Sequence, residues 1–252
     1  MTTFQTGADA LASLNATNEG GGSSAEFAPF KSGTNYRVRI MTPNDLIAYY
    51  GYSIFKVVNT FVAQKPAKLN AKGFPEKDLT LWDKAAQYYS ELAFKEQDEA
   101  KKKELKESAS LYRGSTRFVF GFIDLDTGLP IYIDLSKKQA LAVHSVITKN
   151  SAKLGKKAFE LEKTGQSTST QVMLSPLDLD DLNDKQAANF EKVEGFADFS
   201  FDGLLYESDE AQQADDLRKA GFDLSLIGYD TSETEPAETD GRLDITEEDL
   251  PF

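Results

Sequence analysis

Residues 115–134 read STRFVFGFIDLDTGLPIYID, and this stretch decides the fold that the sequence predicts. Its first ten residues are rich in aromatic and β-branched side chains, and apolar residues return in 129–134, as in two β-strands. Asp126-Thr127-Gly128 lies between them, and glycine tolerates the backbone angles of a tight turn. The stretch therefore predicts a β-hairpin.

Two strands are predicted on the amino-terminal side of this hairpin. Residues 35–41 alternate between apolar and basic or polar side chains, the period of a strand with one basic face. Residues 53–63 are rich in β-branched and aromatic residues and predict a second strand. A basic loop follows at 65–77, in which Glu76 is the single acid.

Helical patterns flank the strands. Residues 79–111 carry apolar side chains such as Trp82 at helical spacing, which predicts an insertion of one or two helices. Ser136 is a typical helix cap, and the predicted helix runs to about Lys149. Its expected buried stripe consists of Ala140, Leu141, Val143, Val146 and Ile147.

The sequence thus predicts a mainly β protein with helical insertions, of the α+β class. The expected architecture is a five-stranded OB-fold β-barrel with a disordered acidic carboxyl-terminal tail. The expected segments are a flexible amino-terminal segment (1–25), an OB-fold domain (26–206) with a helical insertion at about 78–112, an acidic helical extension (207–229) and the acidic tail (230–252).

Composition excludes several classes of protein. The chain has no cysteine and one histidine, so disulfides, iron–sulfur clusters, thiol catalysis and the usual structural zinc site are excluded. No apolar run is long enough to cross a membrane, and the amino terminus lacks the pattern of a secretory signal. We expect a cytoplasmic protein, in the host cytoplasm if the gene belongs to a phage, with no cofactor and no metal.

The net charge of -13 is unevenly distributed. Residues 1–175 contain 23 basic and 18 acidic residues, a net charge of +5, whereas residues 176–252 contain 5 basic and 23 acidic residues, a net charge of -18. A basic body with a strongly acidic end indicates an interaction protein, although acidic tails also serve solubility. The negative overall charge therefore does not exclude nucleic acid as a partner of residues 1–175.

Enzymatic motifs are missing from the sequence. The single histidine, His144, lies in an apolar helical context that favours a structural role. The densest acidic cluster, Asp178, Asp180, Asp181 and Asp184, lacks the glycine and the closing glutamate of a calcium loop. Phosphate-binding glycine loops and nucleophile elbows are absent as well. We expect a protein without enzymatic activity, and a metal-dependent nuclease stays a minor alternative.

Single-stranded nucleic acid needs a basic groove and exposed aromatic faces for its bases, and the predicted body offers both kinds of side chain. The residues expected to contact phosphates are Arg37, Arg39, Lys56, Lys65, Lys72, Arg113 and Arg117. The residues expected to stack on bases are Tyr52, Tyr112, Tyr132 and Trp82. Ribose and deoxyribose are not distinguished by such a surface.

The last residues carry the most specific signal. They read Glu247-Glu248-Asp249-Leu250-Pro251-Phe252 and follow an acidic run. This ending resembles the tip of bacterial single-stranded DNA-binding proteins, in which several acids precede an apolar residue, proline and phenylalanine. The resemblance implies a docking peptide for replication and repair proteins, because a terminal phenyl ring and carboxylate suit a pocket beside a basic side chain.

The body looks more like bacteriophage single-stranded DNA-binding proteins of the T-even helix-destabilising type, with an insertion in an OB core and an acidic end. That resemblance covers most of the chain as layout only, and the zinc-binding cysteines of that family are missing here. It implies a phage protein that coats and protects single-stranded DNA in replication, recombination and repair. We also expect the acidic tail to compete with DNA for the basic surface. A protein–protein interaction adaptor is the main alternative.

Overall fold

The computed structural model describes residues 27–165, 169–192 and 198–229. Its strands are β1 (Asn35–Arg39), β2 (Leu46–Ile54), β3 (Val58–Ala63), β4 (Lys68–Leu69), β5 (Pro75–Lys77), β6 (Ser115–Asp124), β7 (Pro130–Ser136), β8 (Ala158–Thr164), β9 (Gln171–Leu177) and β10 (Glu207–Ser208). Its α-helices are α1 (Leu81–Lys95), α2 (Glu99–Tyr112), α3 (Lys137–Lys149), α4 (Asp184–Lys192) and α5 (Glu210–Lys219). Short 3₁₀ helices lie at Ser151–Lys156, Leu179–Asp181 and Leu224–Ile227.

The predicted OB-fold barrel is wrong. The protein is mixed α/β, and eight strands form one mixed sheet in the order β10-β3-β2-β6-β1-β8-β9, with β7 paired to β6. β10 runs parallel to β3, whereas β6–β7, β1–β8 and β8–β9 are antiparallel. A barrel requires its first and last strands to pair. In the described ranges β9 and β10 are the two ends of the strand order, so the sheet is not closed.

The central hairpin is confirmed. β6 and β7 pair along their length, from Arg117 opposite Ser136 to Ile123 opposite Pro130. The turn contains Gly128 at a φ of +76°, the left-handed region that glycine enters at little cost. The strand predicted at 35–41 is also confirmed as β1.

The single strand predicted at 53–63 is wrong, because the chain turns within it. β2 and β3 form an antiparallel hairpin in which Tyr52 lies opposite Phe61. The N–H of Val57 donates to the carbonyl of Ile54 at 2.9 Å, and Lys56 has a φ of +64°. A turn with a lysine in the left-handed region has no glycine to mark it in the sequence.

The residues divide into two compact units. The first unit contains the described residues up to Tyr49 together with Arg117–Leu205. Alternate residues of β6 and β7 form its core, where Phe120 faces Ile133 and the buried Val143 of α3 packs on them. α3 follows the prediction with one exception, since Leu141 is 63% exposed and not part of the buried stripe.

The second unit contains Tyr50–Thr116 and the described residues from Tyr206 onward. Its core is aromatic and surrounds Trp82, which is fully buried and whose indole N–H donates to the carbonyl of Gln213 at 3.3 Å. α1 and α2 lie where the helical insertion was predicted, and α5 lies in the predicted acidic extension. A capping box at Thr80 and Asp83 begins α1, and the side chain of Asp98 caps α2.

Candidate nucleic-acid interface

The four aromatic residues expected to stack on bases are buried. Tyr52 is 2% exposed, Trp82 0%, Tyr112 5% and Tyr132 6%. Other rings surround them, with Tyr52 and Tyr112 each about 6 Å from Trp82 and Phe201 5.4 Å from Tyr132. A base cannot stack on a ring whose faces are covered, so the structure does not support this part of the expected site.

Three of the arginines expected to contact phosphates are engaged within the protein. Arg37 donates to the carbonyl of Asp181 at 3.0 Å and to the side-chain oxygen of Gln186 at 2.9 Å. Arg39 is buried, donates to the carbonyl of Phe190 and lies 4.3 Å from the centre of that ring. The guanidinium of Arg117 forms a salt bridge of 2.7 Å with Asp134. These side chains hold the first unit together.

The other expected cations are exposed: Lys56, Lys65, Lys72 and Arg113. They do not form one cluster. Lys56 lies at the tip of the β2–β3 hairpin, and Lys65 follows the far end of β3, which at about 3.3 Å per residue is more than ~15 Å away along the strand. Arg113 lines a groove together with Phe74, and Lys72 precedes Phe74 by two residues in the chain.

Sequence reasoning missed the exposed phenylalanine rings of the second unit. Phe55, Phe74 and Phe94 are 86%, 50% and 88% exposed, and all three belong to the second unit. Each lies within two residues of an exposed lysine. Exposed phenylalanine rings beside cations are the arrangement on which single-stranded nucleic acid stacks. Phe94 differs from the other two, because Glu91 and Glu96 flank it.

A sequence signal for this surface exists. Residues 46–75 carry lysines but neither Asp nor Glu, in a chain that has 41 acidic residues. The stretch covers β2, β3 and β4 with their turns, and it includes Phe55 and Phe74. Such a gap in the acidic residues leaves the β2–β3 hairpin and strand β4 free of carboxylates that would repel a polyanion, and Glu76 of β5 is the first acid after it. We call residues 46–75 the acid-free hairpins.

Phe74 is exposed but held in place. Its N–H donates to the side-chain oxygen of Asn70 at 3.1 Å, and its carbonyl accepts from the N–H of Asn70 at 2.8 Å. Gly73 before it has a φ of +81°, which closes the turn, and Pro75 after it restricts its backbone to extended angles. The backbone that carries the ring is thus fixed on both sides.

Phe74 forms one wall of a groove of about 580 Å³. The opposite wall is one face of α1, formed by Asp83, Ala86, Gln87 and Ser90, whose spacing places them on the same side of a helix. Arg113, which follows α2, lines the groove as well. The groove therefore combines an aromatic face, a wall with a small residue at Ala86, and a guanidinium.

Burial raises the pKa of two acidic side chains, Asp83 and Tyr50, near this groove. Burial raises the pKa of Asp83, although hydrogen bonds from Thr80 and from the hydroxyl of Tyr52 oppose the rise. Burial also raises the pKa of Tyr50 to about 12, with Asp83 adding to the shift and Arg113 opposing it. Because Tyr50 stays neutral at physiological pH, Arg113 has no phenolate beside it.

A second acid-free stretch lies in the first unit. Residues 135–159 contain six lysines and no acid, and they cover α3 and the 3₁₀ helix Ser151–Lys156. Lys157 at its end pairs with Asp178 at 2.5 Å. Within this stretch the exposed large apolar side chain is Leu141, and no exposed aromatic ring accompanies the lysines. The stretch offers charge without a stacking face.

The remaining expectations concern the single histidine, metal binding, membrane crossing and the two ends of the chain. His144 is half-buried on α3, and its Nδ1 lies 3.5 Å from the hydroxyl of Thr148. The described ranges contain no group of three or more His, Asp or Glu side chains placed to hold a metal ion. They also contain no helix long and apolar enough to cross a membrane. The amino-terminal segment 1–25 and the tail 230–252, with the whole docking tip, lie outside the described residues.

No protein-family model matches the chain, and no curated protein matches it either. The geometry of the second unit is therefore the basis for a functional proposal.

Proposed function

We propose that this protein binds single-stranded DNA without sequence preference, through the second unit. The observation that carries the proposal is the run of residues 46–75, the acid-free hairpins, which presents lysines together with the exposed rings of Phe55 and Phe74. Lysines attract phosphates of any sequence, and a phenyl ring stacks on any base. Neither contact reads a base edge, so little sequence preference is expected.

Exposed rings favour single strands over duplexes. In a duplex the base faces are covered by their neighbours, whereas an unpaired strand can place a base on an aromatic ring. A large apolar side chain such as Phe55, at 86% exposure, also gains from being covered by a partner. Single-stranded DNA supplies both the flat apolar face and the negative charge.

The cellular role follows from the resemblance of the carboxyl terminus and belongs to the same proposal. The protein would coat and protect single-stranded DNA during phage replication, recombination and repair, without catalysis. Its acidic tip, residues 247–252, would recruit replication and repair proteins.

The test is equilibrium binding to a fluorescein-labelled dT oligomer, followed by fluorescence anisotropy over a range of salt. We expect binding that weakens steeply with salt and is much tighter than binding to a duplex of the same length. An rU oligomer measures the preference between DNA and RNA. Absence of binding at low salt, or equal affinity for the duplex, would overturn the proposal and favour an interaction adaptor.

Two matched variants sharpen the test. Phe55→Ala and Phe94→Ala each remove a ring of nearly equal exposure beside a lysine, but only Phe55 lies in the acid-free hairpins. Phe55→Ala should weaken binding roughly 5- to 150-fold, the value of one stacked base, and Phe94→Ala should not. Equal effects of the two substitutions would contradict the placement of the site on the hairpins.

A further inference from the structure

We infer that the groove between Phe74 and α1 holds one nucleotide of the bound strand, with its base on the ring of Phe74 and a phosphate on Arg113. This inference rests on the proposed function and adds to it a defined subsite with its own ligand chemistry. It separates Phe74, which forms a wall, from Phe55, which lies at an open hairpin tip.

Rigidity distinguishes Phe74 from an ordinary exposed side chain. Asn70 fixes the backbone of Phe74 through both its N–H and its carbonyl, at 3.1 and 2.8 Å. A wall that is already ordered loses little conformational freedom when a ligand binds, and this increases affinity. The small side chain of Ala86 in the α1 wall takes up little of the space that a base would occupy in the groove.

Arg113 is free to receive a phosphate. Its Nη2 donates to the hydroxyl of Ser90 at 3.3 Å, and the hydroxyl of Ser90 donates in turn to the carbonyl of Ala86 at 2.7 Å. Arg113 is exposed and forms no ion pair in the part of the chain that the structure describes. Ser90 therefore orients the guanidinium, and its other N–H groups remain for the two oxygens of a phosphate.

The size and charge of the groove fit one nucleotide. A volume of about 580 Å³ lies within the usual range of small-molecule sites, roughly 300–1,000 Å³. Glu76 lines the same groove and is exposed, so its carboxylate would repel a second phosphate near the rim. Asp83 is buried and accepts three hydrogen bonds through Oδ2, so its carboxylate is turned to the interior.

The experiment compares a dT oligomer with an abasic deoxyribose-phosphate oligomer of the same length, using the full chain. Phe74→Ala should weaken binding of dT roughly 5- to 150-fold and leave the abasic strand unaffected, because the ring meets only the base. Arg113→Gln should weaken both strands and reduce the salt slope of each by about 0.7. Circular dichroism and urea unfolding check that each variant is folded.

Phe74→Trp supplies a direct signal. The native tryptophan, Trp82, is buried, so fluorescence that changes on binding in this variant comes from the groove. Emission should be quenched by dT and not by the abasic strand. Three results would overturn the nucleotide subsite. The first is that neither strand quenches the emission, and the second is that Phe74→Ala and Arg113→Gln bind dT with wild-type affinity. The third is that Phe74→Ala loses the same affinity for dT and for the abasic strand. In each of these cases wild-type binding of dT keeps the proposed function, whereas a wild type that binds no strand refutes that function itself.

Discussion

Replacing Lys72 and Lys77 together with glutamine tests whether the β4–β5 hairpin contacts phosphates. Both side chains are exposed, and neither forms an ion pair in the described residues, whereas Lys68 on the same hairpin pairs with Asp78 at 2.7 Å. Lys68 is therefore left out of the count of available charges, and two lysines of the hairpin remain.

The size of the effect follows from the release of counterions. For a single strand the logarithm of the binding constant falls with the logarithm of the salt concentration by about 0.7 for each neutralised phosphate. Losing two contacts should reduce the slope by about 1.4 and weaken binding about 25-fold at 0.1 M salt, relative to a 1 M reference. Anisotropy titrations of a dT oligomer between low and high salt measure both quantities.

The matched control is Lys102→Gln with Lys103→Gln. It removes the same charge from α2, where Lys102 pairs with Glu99 at 3.2 Å and Lys103 with Glu107 at 3.9 Å. A long-range effect of net charge would weaken binding equally in both double variants. A local contact with phosphates would weaken binding only in the hairpin variant. Equal slopes for the two variants, or an unchanged slope for the hairpin variant, would refute the reasoning.

Three further predictions concern stability and the tail. The effect of Asp83→Asn on the free energy of unfolding should be more favourable at pH 7 than at pH 4: burial raises the folded-state pKa of Asp83, so the wild type gains stability as the pH falls through that pKa, whereas the asparagine variant does not. Urea unfolding followed by tryptophan fluorescence measures this, and parallel pH curves for the two proteins would contradict it. Gly114→Ala should cost about 1–3 kcal/mol, because a Cβ there would overlap the ring of Tyr50, while Gly155→Ala, which meets nothing within 4 Å, serves as the near-neutral control in thermal unfolding. Deleting residues 230–252 should tighten binding of a dT oligomer at low salt if the acidic tail competes for the same surface, and unchanged or weaker binding would count against that competition.

Local patterns in the sequence predicted individual strands and helices better than they predicted how these elements assemble. The β6–β7 hairpin and α3 were predictable because each depends on neighbouring residues, on alternation and on a cap. The strand order depends on which edges pair, and no local pattern records this. The parallel pair of β10 and β3 joins residues more than a hundred positions apart, so a closed barrel and an open mixed sheet look alike in the sequence.

The candidate site shows the same limit at the level of side chains. Tyr52 was expected to stack because it lies near basic residues in the sequence, and Trp82 because a helical insertion could cover one side of a groove. The side of a strand or helix that is buried, however, depends on what packs against it. Phe55 was missed because a β-branched run concealed a turn with a left-handed lysine. The acid-free stretch 46–75 was visible in the sequence and contains the exposed Phe55 and Phe74, but buried residues such as Tyr52 and Phe61 lie in it as well.

The second unit is assembled from two distant pieces of chain, and this affects how the protein is made. A ribosome delivers α1 and α2 early, but the backbone carbonyl of Gln213 that receives the indole N–H of Trp82 is synthesised only after the segment 117–205. Until then the aromatic cluster on the nascent chain lacks part of its cover, and exposed apolar clusters of this kind invite aggregation or chaperone binding. A chain that ends before α5 would contain the acid-free hairpins but would lack part of the aromatic core that supports them.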